Sequence, residues 1–179
     1  MQITEITNEG IHIIPVGVIK NDLLTPPLVV GENGLTHNVA CTSAIDEMAG
    51  TDFRVSEIIL AKELNDLLDG IEEYSHIVIV YWGHEISEHG RALKKTHPAG
   101  LTQYPMKGIY ATCSPARPNP VLTTVVKLLK KEENRLFVSG LDAINNSPVI
   151  DIKPYVPVLF PQDGVLIPEW MTNIMKEFH

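Results

Sequence analysis

Apolar side chains along this chain fall in short β-branched runs bounded by turn residues, not in the three-and-four spacing of amphipathic helices, and that pattern predicts strands. IHIIPVGVIK at 11–20, RVSEIIL at 54–60 and SHIVIVYW at 75–82 are the first three. Pro15 near the middle of the first run places it at an edge or bulge, because proline cannot donate to a ladder. Ile77 to Trp82 is apolar at six consecutive positions, as in a central strand covered on both faces. GIYAT, TTVVKLL, RLFVSGLD and PVIDIKPY add four strand candidates, with KEEN and INNS as the later turns. Strands this closely spaced leave no room for parallel crossovers. The expected fold is therefore mainly β: a small antiparallel β-barrel, closed or nearly so, with a few short helices.

Two stretches depart from the strand pattern. AKELNDLLDG at 61–70 has leucines at 64, 67 and 68 and a closing Gly70, which predicts a short capped helix. PEWMTNIMKEFH at 168–179 predicts a terminal helix with Pro168 in its first turn. Segment 21–53 reads mostly as loop, and 83–106 as an excursion rich in Gly, His and charge. The chain divides into a barrel domain over 1–158 and an extension over 159–179 that could be helical.

Charge changes the picture more than composition does. The net charge of −8 disfavours a phosphate-bearing ligand, but the average hides an asymmetry. Residues 1–90 carry three basic and fifteen acidic side chains, 91–135 carry nine and two, and 136–179 carry two and five. The basic middle segment, with Lys95 and Lys130 among its cations, can present a phosphate-facing side. A solvated surface explains the same run equally well. No window holds 18 uninterrupted apolar residues, and MQITEITNEG lacks the features of a signal peptide. Cytoplasmic residence without membrane association is the resulting expectation.

Several chemistries find no support. None of the twelve glycines forms GxG, so neither a dinucleotide loop nor a P-loop is present, and the fold is expected to be non-Rossmann. HExxH is absent, and no metal is expected. Cys41 and Cys113 lie 72 positions apart, outside any CxxC pair.

Two constellations remain. In SPARPNP the prolines stiffen the backbone, which can aim Arg117 at a fixed spot or can do no more than stabilise a surface loop; Arg117 and Asn119 suit binding and not proton transfer. In VIDIKPY, Ile150 and Ile152 are expected on one face, with Asp151 and Lys153 on the other about 6.6 Å apart and Tyr155 continuing the row. An acid, an amine and a phenol on one face can handle a proton, or can be no more than a salt-bridged solvent face.

VGVIK, DGIEEYSHIVIVYWGH, GIYATCSPARPNP and SGLDAINNSPVIDIKPYVP, in that order, resemble the TrmO-like (TsaA-like) family over roughly residues 14–20 and 54–158. The resemblance implies a β-barrel methyltransferase using S-adenosylmethionine, working as a homodimer, and methylating N6 of threonylcarbamoyladenosine beside the tRNA anticodon. It implies cofactor contacts at His84, Glu85, Cys113, Thr123, Asp142, Ala143, Ile144 and Asn145. Substrate contacts would come from Arg117, Asn119, Lys95 and Lys130, and proton handling or acceptor orientation from Asp151, Lys153 and Tyr155. Cys113 and Leu122 stand where the family has arginine and glycine. An unpaired cysteine is most often a small buried hydrophobe, so Cys113 is expected to fill space, with a thiol that takes part in the chemistry or serves a different acceptor as the alternative. Methylation of a small molecule or thiol by the same fold, or cofactor binding without catalysis, are the alternatives.

Overall fold

The computed structural model describes residues 11–26, 28–31, 34–37 and 54–177. Ten strands and two α-helices follow in chain order among them: β1 (Gly17–Lys20), β2 (Leu28–Gly31), β3 (Gly34–His37), β4 (Val55–Leu60), β5 (His76–Trp82), α1 (Glu88–Ala92), β6 (Lys95–Thr96), β7 (Lys107–Gly108), β8 (Val121–Glu132), β9 (Arg135–Ser139), β10 (Pro148–Pro154) and α2 (Glu169–Glu177). The order β1-β10-β5-β8-β9-β4 closes into a barrel in which every pairing is antiparallel. Closure removes sheet edges, so each barrel strand has two partners.

The barrel interior follows from period-two alternation. β5 buries Ile77, Ile79 and Tyr81 and leaves Val78, Val80 and Trp82 half-buried. The run expected to be covered on both faces is thus inward on one face and half-exposed on the other. Ile19, Ile58, Leu136 and Val126 meet it across the interior, and each buried side chain of this size contributes about 1.5–3 kcal/mol.

β1 is shorter than the 11–20 run: residues 11–16 are not strand, and Pro15 lies outside the ladder. Closure at β1 also requires Gly17. A Cβ there would lie 2.5 Å from the Ile59 carbonyl oxygen and 3.0 Å from the Leu60 Cα. Of GIYAT only Gly108 is strand, at the end of β7, and a 3₁₀ turn over Ile109–Ala111 follows; AKELNDLLDG is a 3₁₀ helix over Lys62–Leu68. In β10 the register shifts between Val149 and Asp151. This bulge leaves Val149 and Ile152, not Ile150 and Ile152, against the core.

Segment 21–53 is more structured than a loop, because β2 and β3 pair as a hairpin. The rest of that expectation, over 38–53 with Cys41, lies outside the described residues. The hairpin packs on the excursion after β5: a Cβ at Gly90 of α1 would lie 2.9 Å from Val30 Cγ2, and the buried Thr96 hydroxyl accepts from Leu35 N at 3.2 Å. Among the described residues no helix is long and apolar enough to cross a membrane.

Candidate functional site

β9 stops at Ser139, opposite Lys127, while the partner strand β8 starts six residues earlier at Val121. The chain after β9 crosses this uncovered flank of β8. Leu141 and Ala143 insert into the core, and Asp142 between them is exposed. Asp142 Oδ1 accepts hydrogen bonds from the Tyr81 hydroxyl at 2.9 Å and from Thr124 Oγ1. Its Oδ2 has no hydrogen-bond partner among the described residues. A carboxylate with one oxygen fixed and the other open to solvent can receive hydroxyl or amine donors from a ligand without reorienting.

Tyr81 faces inward, and burial, followed by the Asp142 charge, pushes its phenol far above the ordinary tyrosine range. The folded protein therefore keeps the proton that donates to Asp142. The sign follows directly: the stability this proton contributes is complete below the unfolded value near 10 and declines as pH rises above it. Tyr81→Phe should remove this component. Denaturant titrations between neutral pH and pH about 11 should show a shallower alkaline loss in the variant, by up to about 1.4 kcal/mol per pH unit.

The other expected cofactor residues separate into two groups. His84 follows β5, where Gly83 N donates to Pro120 O at 2.8 Å and His84 Nδ1 lies 3.4 Å from Ser147 Oγ. Glu85 is exposed. Ala143 and Ile144 are buried. Asn145 holds the segment after β1: Asn145 N donates to Leu23 O at 2.7 Å, and Asn145 Oδ1 accepts from Asn21 N at 3.3 Å. Thr123 pairs with Val80 and is exposed on the outer surface, so its neighbour Thr124, not Thr123, meets Asp142.

Cys113 is exposed with a free thiol, contrary to the buried space-filler expected. Arg117 is tied into its own loop: its Nε donates to Ser114 O at 2.9 Å and its Nη2 to Thr112 O at 3.0 Å. The guanidinium thus braces the proline-rich turn. Asn119 is exposed, and its carbonyl accepts from Val121 N at 2.7 Å where the loop enters β8.

Asp151 and Lys153 form an ion pair at 2.5 Å, and Asp151 Oδ1 also accepts from Ile152 N at 2.9 Å. Asp151 pairs with Val80, and Val80 with Thr123, so these three form one row across the outer surface of β10, β5 and β8. Tyr155 stacks on Phe160 at 5.2 Å between ring centroids. The residues of the sequence reading therefore lie on two sides of one sheet, with Asp142 at the mouth and Asp151, Lys153 and Thr123 outside. Tyr81 and Thr124 were missed, since what joins them to Asp142 is side-chain geometry across 61 and 18 positions of sequence. Among the described residues no group of three or more His, Cys, Asp or Glu could hold a metal ion.

The family model described as the tRNA-methyltransferase O N-terminal domain matches residues 47–159. An Archaeoglobus fulgidus protein named S-adenosyl-L-methionine-binding protein is 45% identical over 103 residues, 58% of this chain and 70% of its own. A human tRNA (adenine(37)-N6)-methyltransferase is 34% identical over 112 residues, 63% of this chain and 25% of its own. A crystal structure of TrmO from Pseudomonas aeruginosa superposes with a TM-score of 0.57 at 25% identity, covering 89% of this chain and 61% of that one. The chain thus spans less than two thirds of that solved structure.

Proposed function

Because the chain belongs to the tRNA-methyltransferase O N-terminal domain family, we propose that it is an S-adenosylmethionine-dependent methyltransferase acting on N6 of threonylcarbamoyladenosine beside the tRNA anticodon. The observation that carries the reading is Asp142, an exposed carboxylate fixed through one oxygen by Tyr81 and Thr124 at the mouth of a family-matched barrel. The donor set suits the cofactor: Asp142 Oδ2 can accept from ribose hydroxyls or the amino group, and the His84 imidazole stands ready at the end of β5. When bound, the cofactor supplies an electrophilic methyl on a sulfonium.

The protein's own tasks are positioning, water exclusion and removal of one proton. Transfer would break the sulfonium's bond to the methyl carbon, leaving a neutral thioether, as the N–C bond forms at N6, and the N–H proton would pass to the Asp151 carboxylate, which Lys153 and the Ile152 amide hold in place. Tyr155, braced by Phe160, flanks the acceptor.

Asp151 and Thr123 lie on the outer surface and Asp142 at the mouth, so a homodimer that seats a second copy against the outer surface accounts for both. That surface carries exposed Val125 and half-buried Val78 and Val80. Val125→Asp should then yield a monomer by light scattering, with an unchanged circular dichroism spectrum.

Mass spectrometry of tRNA nucleosides from cells lacking and regaining the gene tests the function. The methylated threonylcarbamoyladenosine should vanish and return. An unchanged nucleoside profile, with cofactor binding retained, would leave methylation of a small molecule or thiol, or binding alone.

A further inference from the structure

The nine cations of residues 91–135 are not equivalent. On the β8–β9 hairpin, Lys130 pairs with Glu132 at 2.7 Å and lies over the Phe137 ring, and Arg135 pairs with Glu57 at 2.8 Å. Lys131 reaches Leu68 O at 3.0 Å, Asp69 and Glu72. Arg91 lies 5.4 Å over the Trp82 ring and donates to Ile86 O, and Arg117 is bound to its own loop. Four lysines of this segment have no ionic or hydrogen-bonded side-chain partner among the described residues: Lys127 stands apart, exposed on β8 opposite His76, whereas Lys94, Lys95 and Lys107 lie on one small structure. Lys95 pairs with Gly108, Thr96 pairs with Lys107, and Ile109 N donates to Lys94 O at 3.1 Å.

Tyr110 belongs to the same structure. Ile109 is buried and anchors the turn after β7, while the Tyr110 side chain is 82% exposed. The ribbon beneath is rigid: Thr96 is fully buried and bonded to Leu35 N, and His97 Nδ1 lies 2.7 Å from Tyr104 O. An exposed phenol ring two residues beyond a ribbon that carries three lysines without ionic partners among the described residues, Lys95 on one face and Lys107 on the face of Thr96, is a stacking platform with phosphate contacts at its flanks. A duplex keeps its base faces stacked and unavailable, whereas a loop offers them. In a chain of net charge −8, phosphate contact must also be local, where cations are not already neutralised.

We propose that the β6–β7 ribbon with Tyr110 is the single-stranded RNA contact of this protein, gripping the loop backbone through Lys94, Lys95 and Lys107 and stacking one base on Tyr110. The proposal rests on the tRNA reading above, and it removes Lys130 from the substrate contacts in favour of the ribbon. Fluorescence anisotropy with the full chain, using an anticodon stem-loop RNA and a blunt duplex of the same stem, tests it. The wild type should prefer the stem-loop. K94A/K95A/K107A should lose about tenfold or more in affinity, with the salt slope shallower by about 2, at roughly 0.7 per phosphate contact. K130A/K131A/R135A should bind nearly as the wild type does. Tyr110→Ala should lose about tenfold for the stem-loop only, and Tyr110→Phe should retain affinity.

Unchanged stem-loop affinity in the ribbon variant or in Tyr110→Ala overturns the surface, as does equal binding of polyglutamate and RNA. If such variants bind RNA normally while the wild type methylates tRNA, the surface fails and the function stands. If the wild type binds the loop through the ribbon but changes no tRNA nucleoside, the function fails and the surface stands.

Discussion

Asp142→Ala is expected to lower S-adenosylmethionine affinity by at least about tenfold while leaving the barrel folded. The carboxylate is exposed, so its removal makes no cavity in the core. Its loss deprives the ligand of a charge-assisted acceptor, and such bonds are worth about 1.5–3 kcal/mol. The same change strips the Tyr81 hydroxyl of its acceptor, which costs about 1–3 kcal/mol where the phenol is buried. Tyr81→Phe/Asp142→Ala separates the two effects: the double variant recovers the stability of the fold and not the binding of the ligand. Isothermal titration with thermal melts in excess cofactor checks it, because a ligand at 100 times its dissociation constant stabilises by about 2.7 kcal/mol. Wild-type affinity in Asp142→Ala would remove the carboxylate from the cofactor site.

How far the sequence could be read depended on whether the determining contacts were local. The β-branched runs at 54–60, 75–82 and in the second half became β4, β5, β8, β9 and β10 because alternation and turn residues act over a few positions. GIYAT and IHIIP did not become strands of that length. Their apolar residues serve different ends: Ile109 anchors a turn, whereas Ile11 and Ile14 are exposed. The β10 bulge cannot be seen in period-two reasoning, and it moved Ile150 off the core face. At the site, Asp142 was named through family resemblance alone, while Tyr81 and Thr124 needed the strand register to be known. Arg117 shows the opposite difficulty. The prolines do stiffen its loop, but nearby carbonyls of that loop take the guanidinium donors. Nothing in the local composition distinguishes an arginine that braces from one that binds.

Gly17→Val is expected to be strongly destabilising although residue 17 is only half-buried. Residue 17 sits between β10 and β4, paired with Val149 on one side and Leu60 on the other. The clash of any Cβ there is with backbone atoms, Ile59 O and Leu60 Cα, and a ladder cannot yield as the end of a flexible side chain can. Overpacking in well-packed regions costs about 1–3 kcal/mol, and relief here requires β1 to shift from β4. That shift strains the Val16 N and Ala61 N hydrogen bonds, 2.8 and 3.0 Å, that fasten both sides of the strand. It also loosens Ile19, which is fully buried two residues on. A loss of about 3–5 kcal/mol follows from the combined mechanisms, against a total of about 5–15 kcal/mol for a domain. Urea unfolding of Gly17→Val beside Gly17→Ala checks this: both midpoints should fall, valine further, and hydrogen exchange should rise first in β1, β4 and β10. A midpoint within error of wild type in Gly17→Val would show that β1 does not hold the barrel closed in solution.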